Sequence, residues 1–255
     1  MEHLLHATAR AEATHFWFRG FRRFVSPLLA HAASGRTNLR LLDCGCGTGN
    51  NLALLAPYGR AFGFDLTEIG LHIGREEGRS GLLRASVNAV PFPSNAFDIV
   101  TSFDVLYSLS HADEARAAAE MYRVLRPGGW ALVNVAAMES LRGDHSVLSR
   151  EQRRYTRRSL GALLTGVGFT IERLTYTNAV LVPPMMVSRA FQRWRGLSAE
   201  QHADTEIRVP PAPVNAVLSA ALWMESLWLR AGSNPVGSSL LCLARKPASA
   251  GTPSA

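Results

Sequence analysis

The stretch Leu41-Leu42-Asp43-Cys44-Gly45-Cys46-Gly47-Thr48-Gly49-Asn50 constrains this chain more than any other, because it sets a glycine turn at the end of an apolar strand and puts a carboxylate just ahead of it. Glycines at alternate positions permit a tight turn and let a ligand approach the main chain closely. The helix expected next begins with N–H groups that have no partner within the helix. Strand, glycine turn and helix in this order read as an α/β fold with a nucleotide-type cofactor site.

The acid narrows the choice of cofactor. A dinucleotide loop reads G-x-G-x-x-G and cradles a pyrophosphate, beside which the carboxylate of Asp43 adds an unfavourable negative charge. Here the spacing is G-x-G-x-G. S-adenosylmethionine carries a sulfonium and an ammonium that suit Asp43, and a carboxylate that suits backbone N–H groups.

Further features follow in order along the chain. Ala61-Phe62-Gly63-Phe64-Asp65 is a short apolar run ending in an acid, one strand-helix-strand unit later, where a ribose diol needs a bidentate acceptor. The run from Pro91 to Phe103 is a turn marked by proline and asparagine that leads into an apolar strand, which opens onto Asp104 and Tyr107. Glu120 to Val135 contains a helix end, the turn Arg126-Pro127-Gly128-Gly129 and another buried strand.

In these motifs the chain resembles the class I S-adenosylmethionine-dependent methyltransferases of the small-molecule group, over roughly residues 36 to 177. The residues that carry the likeness are the D-x-G-x-G-x-G loop, Asp65, the P-F-x-x-x-x-F-D lead and R-V-L-R-P-G-G. The resemblance implies a Rossmann-like, seven-stranded, mostly parallel sheet with helices on both faces and an antiparallel last strand. It implies that Asp43, Gly45, Gly47 and Gly49 hold the methionine end of the cofactor and Asp65 the ribose, with Cys46 of the same loop also in the cofactor site. Leu66 then flanks the adenine, with Phe103 at the end of its strand also in the cofactor site. Members of this group often carry an acid-small pair six residues before the Phe of the P-F turn; here those positions are Ser86 and Val87, so the adenine contact is a hydroxyl without charge assistance.

The balance of +7 comes from arginine, with Lys246 the only lysine. The tightest cluster, Arg150, Arg153, Arg154, Arg157 and Arg158, reads either as a solvated loop and helix face or as a grip on an anionic substrate. Cys44 and Cys46 stand one residue apart, too close for the usual C-x-x-C geometry, so no metal site is expected. The free thiols fit a reducing cytosol, and no basic-then-apolar leader opens the chain, so a cytoplasmic enzyme is expected. Nucleic acid is a poor fit, because no N/D-P-P-Y/F tetrad follows the strand ending at Phe103.

Substrate choice falls to the flanks of a methyltransferase domain at 36–246. Residues 1–35 read as a helical lid in which Trp17 or Phe18 covers the cofactor and Arg19 meets its carboxylate, with residues 247–255 a flexible tail. His145, on the loop after a strand's carboxyl end, is the candidate general base, with His111 and His15 weaker candidates. Residues 178–236 form a helical insertion before the last strand, with one apolar face on 214, 217, 218, 221, 222, 228 and 229. The expected reaction is methyl transfer to an oxygen, nitrogen or carbon of a small apolar molecule. The rivals are a scaffold that binds S-adenosylmethionine without turnover, and a peripheral membrane enzyme or homodimer that docks through 178–236.

Overall fold

The computed structural model describes residues 11–143, 146, 151–195 and 209–248. The first element is helix α1 (Phe16–Ala33), followed by β1 (Leu39–Cys44), the short helix α2 (Leu52–Leu55), β2 (Gly59–Asp65) and α3 (Glu68–Glu76). Next come β3 (Leu82–Arg84), β4 (Phe97–Phe103), α4 (His111–Val124), β5 (Leu125–Ala136), α5 (Arg157–Gly166) and β6 (Thr170–Thr177). Helices α6 (Val182–Arg195) and α7 (Ala212–Trp228) precede the last strand, β7 (Ser239–Arg245).

The strands form one seven-stranded sheet in the order β3-β2-β1-β4-β5-β7-β6. Strand β7 runs antiparallel to both neighbours, and the other pairs are parallel. The expected sheet and its reversed last strand are therefore both present.

Alternation of side chains along the strands divides the core into two layers. On β7, Leu240, Cys242 and Ala244 face one cluster with α4 and α5, while Leu241 and Leu243 face the other with α1 and α7. Strand β5 repeats the division, with Ala131, Val133 and Val135 on the first side and Trp130 and Leu132 on the second. Strand β4 is buried along its whole length, as a central parallel strand covered on both faces must be.

The sequence motifs prove to be mechanically joined. Arg123 donates to the carbonyls of Phe92 at 2.8 Å and Val90 at 3.0 Å, which fastens α4 to the P-F turn. Arg126 and Arg36 both pair with the buried Asp98, so the acid of the F-D pair ties strand ends together. The rings of Phe92 and Phe97 meet edge to face at 4.9 Å. The sole lysine, Lys246, donates to the carbonyls of Tyr122 and Leu125 at 2.8 and 2.7 Å, closing the end of α4 against the end of β7.

Three expectations change. Strand β3 was not anticipated, being three residues long. The Pro-Gly-Gly turn is an irregularity inside β5, where the pairing steps from Phe97↔Leu125 to Ile99↔Trp130. The insertion does hold two helices, but the apolar face expected on α7 is split: Leu222 and Leu229 are buried while Val214, Val217 and Trp228 are exposed.

Candidate cofactor and acceptor site

Strand β1 ends in Asp43 and Cys44, and the chain then turns sharply through Gly45, which has φ +80°. A Cβ there would stand 2.4 Å from Cγ2 of Val105, so only glycine lets the loop lie against the start of the segment after β4. Helix α3 closes the loop from the other side. A Cβ on Gly74 would lie 2.2 Å from the carbonyl oxygen of Thr48, which means helix and loop backbones are in direct contact. Arg79 adds a clamp by donating to that same carbonyl at 2.9 Å while pairing with Glu77.

The loop's own N–H groups are largely taken. Those of Gly45 and Cys46 both donate to the carbonyl of Phe64 at 2.9 Å, and Gly49 N–H donates to the Cys46 carbonyl at 2.8 Å. Gly47 N–H donates to Oδ2 of Asp65 at 2.9 Å, and Thr67 N–H to Oδ1 at 2.7 Å. Asp65 is thus fixed by the backbone, and each of its oxygens keeps a lone pair for another donor. The glycines therefore shape the loop and admit a close approach rather than offering a row of free donors. The helix expected to follow with its open N–H groups is only the four residues of α2.

Asp43 is the unusual group. It is 1% exposed, and Thr101 Oγ1 donates to its Oδ1 at 2.6 Å. Its Oδ2 is enclosed without a hydrogen bond of good geometry, although the Asn51 amide stands near enough to ease the charge. Burial pushes the Asp43 carboxyl up to about 7; the Thr101 hydrogen bond opposes this and neighbouring Asp65 adds to it. A buried acid with one oxygen unmatched is incomplete without a donor or cation beside it.

Comparison with known proteins agrees with this chemistry. A family model described as a methyltransferase domain matches residues 42–133. The chain carries a class I S-adenosylmethionine-dependent methyltransferase domain. It is 27% identical over 194 residues to the ubiquinone/menaquinone biosynthesis C-methyltransferase UbiE of Shewanella piezotolerans, covering 68% of this chain and 74% of that protein. A Mycolicibacterium smegmatis protein named a probable S-adenosylmethionine-dependent methyltransferase is 34% identical over 121 residues, and the chain spans only 45% of its length. In fold, the chain superposes on Haemonchus contortus phosphoethanolamine N-methyltransferase 2, solved with S-adenosyl-L-methionine, with TM-score 0.59 at 18% identity, covering 97% of this chain and 57% of that one.

The methyltransferase residues fit S-adenosylmethionine at the point tested by Asp43, since the unmatched Oδ2 is an acceptor for an ammonium. Leu66, Ser86, Val87 and Phe103 follow or close neighbouring strands, whereas Arg19 is on α1. Leu66, just beyond Asp65, is 65% exposed. Ser86 and Val87 are half-buried in a turn closed by the Ser86↔Ala89 bridge, with Ser86 Oγ accepting from Asn88 N–H at 3.2 Å. Phe103 is buried and meets the Phe21 ring of α1 edge to face at 5.0 Å, which brings the first turns of α1 to the end of β4. Arg19 is exposed and lines a groove with Arg22, Arg23, Arg230 and Trp223.

His145 lies outside the described residues. His15 caps α1, its Nδ1 accepting from Trp17 N–H at 3.1 Å, and burial lowers its pKa. His111 pairs with Glu114 at the start of α4.

The arginine cluster also resolves into structure. Arg154 pairs with the buried Glu151 and donates to the Ala137 carbonyl at 3.1 Å. Arg153 pairs with Glu114, which also accepts from the Tyr155 hydroxyl, and Arg157 donates to the Asn234 carbonyl at 2.5 Å. These three guanidinium groups are internal ties that hold the chain after β5 against its neighbours, rather than a solvated face or a free grip on an anion.

Thr101, Val105, Gly74 and Arg79 were missed by sequence reasoning. Only Thr101 left a signal there, as one of two adjacent hydroxyls, with Ser102, in a largely apolar strand. Asp104, at the end of β4, has φ +61° and accepts from Asn134 Nδ2 at 2.9 Å. The residue is exposed as a whole, and the partial enclosure of its carboxyl raises its pKa against the opposing Asn134 hydrogen bond.

Proposed function

We propose that the chain transfers the methyl group of S-adenosylmethionine to an apolar small molecule held at the carboxyl ends of β4 and β5. The observation that carries the donor half is the buried Asp43, fixed on one oxygen by Thr101 and unmatched on the other. When bound, the cofactor supplies an already activated methyl group on a sulfonium. The chain's own task is then to orient the two reactants and to keep water out. Asp43 meets the ammonium, Asp65 the ribose hydroxyls, and Leu66, Ser86 and Val87 the adenine.

Support for an apolar acceptor comes from the insertion. Helix α6 packs on the turn Glu139–Leu141 that follows β5, at the strand ends where the acceptor must lie. The name of the Shewanella relative, a C-methyltransferase of ubiquinone/menaquinone biosynthesis, favours a carbon nucleophile over oxygen or nitrogen. Where the acceptor must lose a proton, Asp104 and His145 are the candidates to take it, Asp104 because it stands just beyond the end of β4, held by Asn134 Nδ2 at 2.9 Å.

The test is to incubate the purified protein with cell extract and cofactor carrying a deuterated methyl, and to search apolar and polar fractions by mass spectrometry. A labelled apolar product is expected. Tight cofactor binding with no labelled product in any fraction would mean a scaffold rather than an enzyme.

A further inference from the structure

Helix α7 buries its few polar residues beside Leu222 and leaves most of its large apolar ones outside. Its polar residues Asn215, Ser219, Glu225 and Ser226 are buried or half-buried. Asn215 accepts from Phe16 N–H at 2.8 Å and donates to the Thr14 carbonyl at 3.0 Å, which binds α7 to the start of α1. Glu225 accepts from Ala179 N–H at 2.9 Å and from Asn234 Nδ2 at 2.7 Å, and the carbonyl of Ser219 accepts from Arg23. The outward face carries Val214, Val217, Trp223, Met224, Leu227 and Trp228, with Val217 68% and Trp228 60% exposed. No exposed residue from 212 to 228 is charged. A surface helix normally places these two sets the other way round.

The groove beside this face is lined by arginine, with Glu172 in the neighbouring cavity that Arg23 and Arg230 also line. It runs between α1 and α7 with a volume of about 470 Å³, lined by Arg19, Arg22, Arg23 and Arg230 together with Trp223, and no acid lines it. Among the described residues, no ion pair within 4 Å engages Arg19, Arg22 or Arg230, although half-buried Glu12 lies near enough to Arg22 to feel its charge. The other insertion helix, α6, also exposes large apolar residues, Val187, Phe191 and Trp194, the last 82% exposed.

We propose that the outer face of α7 docks on a bilayer surface containing anionic lipid, the helix lying in the interfacial plane. Trp223 and Trp228 then sit at headgroup level, Met224 and Leu227 enter the acyl boundary, and Arg22 and Arg230 meet lipid phosphates. Charge decides this occupant over a second copy of the chain. A two-fold contact through α7 would set two arginine grooves side by side in a chain of net charge +7, whereas anionic headgroups neutralise them. The helix lies on the bilayer and does not cross it: no described helix is long and apolar enough to span. The docking does not rest on the proposed acceptor, so either can fail alone.

The test uses the full chain with phosphatidylcholine vesicles, with and without phosphatidylglycerol, in a flotation assay at low and high salt. Flotation with the anionic vesicles alone, weakened by salt and accompanied by a blue shift of tryptophan fluorescence, is expected. Met224→Ser/Leu227→Ser should reduce the bound fraction at least tenfold, and Arg230→Gln about fivefold, at unchanged circular dichroism. Equal flotation on neutral vesicles, no flotation on either, or a dimer in sedimentation equilibrium that Leu227→Glu dissociates would each overturn the proposal.

Discussion

The glycine loop and helix α7 both break the rule that polar groups face water and apolar groups face protein, and they break it in opposite directions. At the loop, the carboxylate of Asp43 is taken inside and left with an unmatched oxygen. On α7 the inward Glu225 is matched by several donors, and what lacks a partner is the apolar surface outside. Unmatched polarity inside points to a polar, charged ligand, and unmatched apolar surface outside points to an apolar neighbour. The first irregularity belongs to the domain shared with the relatives, within residues 42–133, and the second lies beyond it.

The largest effect that would test the loop side comes from its packing. Gly74 is in a helix, where replacement by alanine ordinarily gains about 1 kcal/mol. Here a Cβ at 2.2 Å from the Thr48 carbonyl should reverse that sign, and Gly74→Val should cost about 3 kcal/mol in denaturant unfolding with loss of cofactor binding. A stable variant that binds normally would show that contact between α3 and the loop does not shape the site.

Asp43→Asn comes next. It keeps the Thr101 contact but removes the charge, and should weaken S-adenosylmethionine about 10- to 100-fold by calorimetry. The pH dependence gives a sharper readout. The Asp43 carboxyl titrates at about 7 in the folded chain, well above its ordinary value, so the free protein loses stability as pH rises from about 4 through 7. A bound ammonium prefers the ionised form. Wild-type affinity should therefore fall as pH drops below 7, while the Asn variant stays flat. A parallel fall in both would assign the titration elsewhere.

What the sequence reveals follows the range of the forces involved. Asp43 and Asp65 are legible because their meaning lies in charge and spacing within a few residues of the glycines. Arg123, Arg126 and Asp98 are legible as a motif but not as a clamp, since their partners come together only when α4 packs beside β4. The arginines after residue 150 read as a solvated face or an anion grip, not as internal ties, for the same reason: Glu114, which pairs with Arg153, is on another element. Strand β3 escapes because three residues are too few for alternation to register. Helix α7 is legible as a helix, but it is apolar nearly all round, so periodicity alone selects a face and the few polar residues decide the true one.

Those polar residues give the third prediction. Glu225 accepts from the N–H groups of Ala179 and Val180 and from Asn234, so it ties α7 to the turn after β6 and to the approach to β7. Glu225→Gln confronts those donors with an NH₂ group. The cost should be about 1–3 kcal/mol in thermal or denaturant unfolding. Failure to destabilise would mean that α7 is held by its apolar contacts alone, and that its inward polar face is incidental.

The smallest stability effect is the most informative about the comparison. Met224 is 59% exposed on the outward face, one residue before Glu225 on the inward one. If the outer face belongs to a neighbour and not to the fold, Met224→Ser should change unfolding free energy by no more than about 0.5 kcal/mol. A loss comparable to that of Glu225→Gln would place Met224 in the chain's own packing, and the two faces of α7 would then differ in composition but not in purpose. Neutrality in unfolding, paired with lost vesicle binding, is the combination that separates a docking face from a poorly covered core.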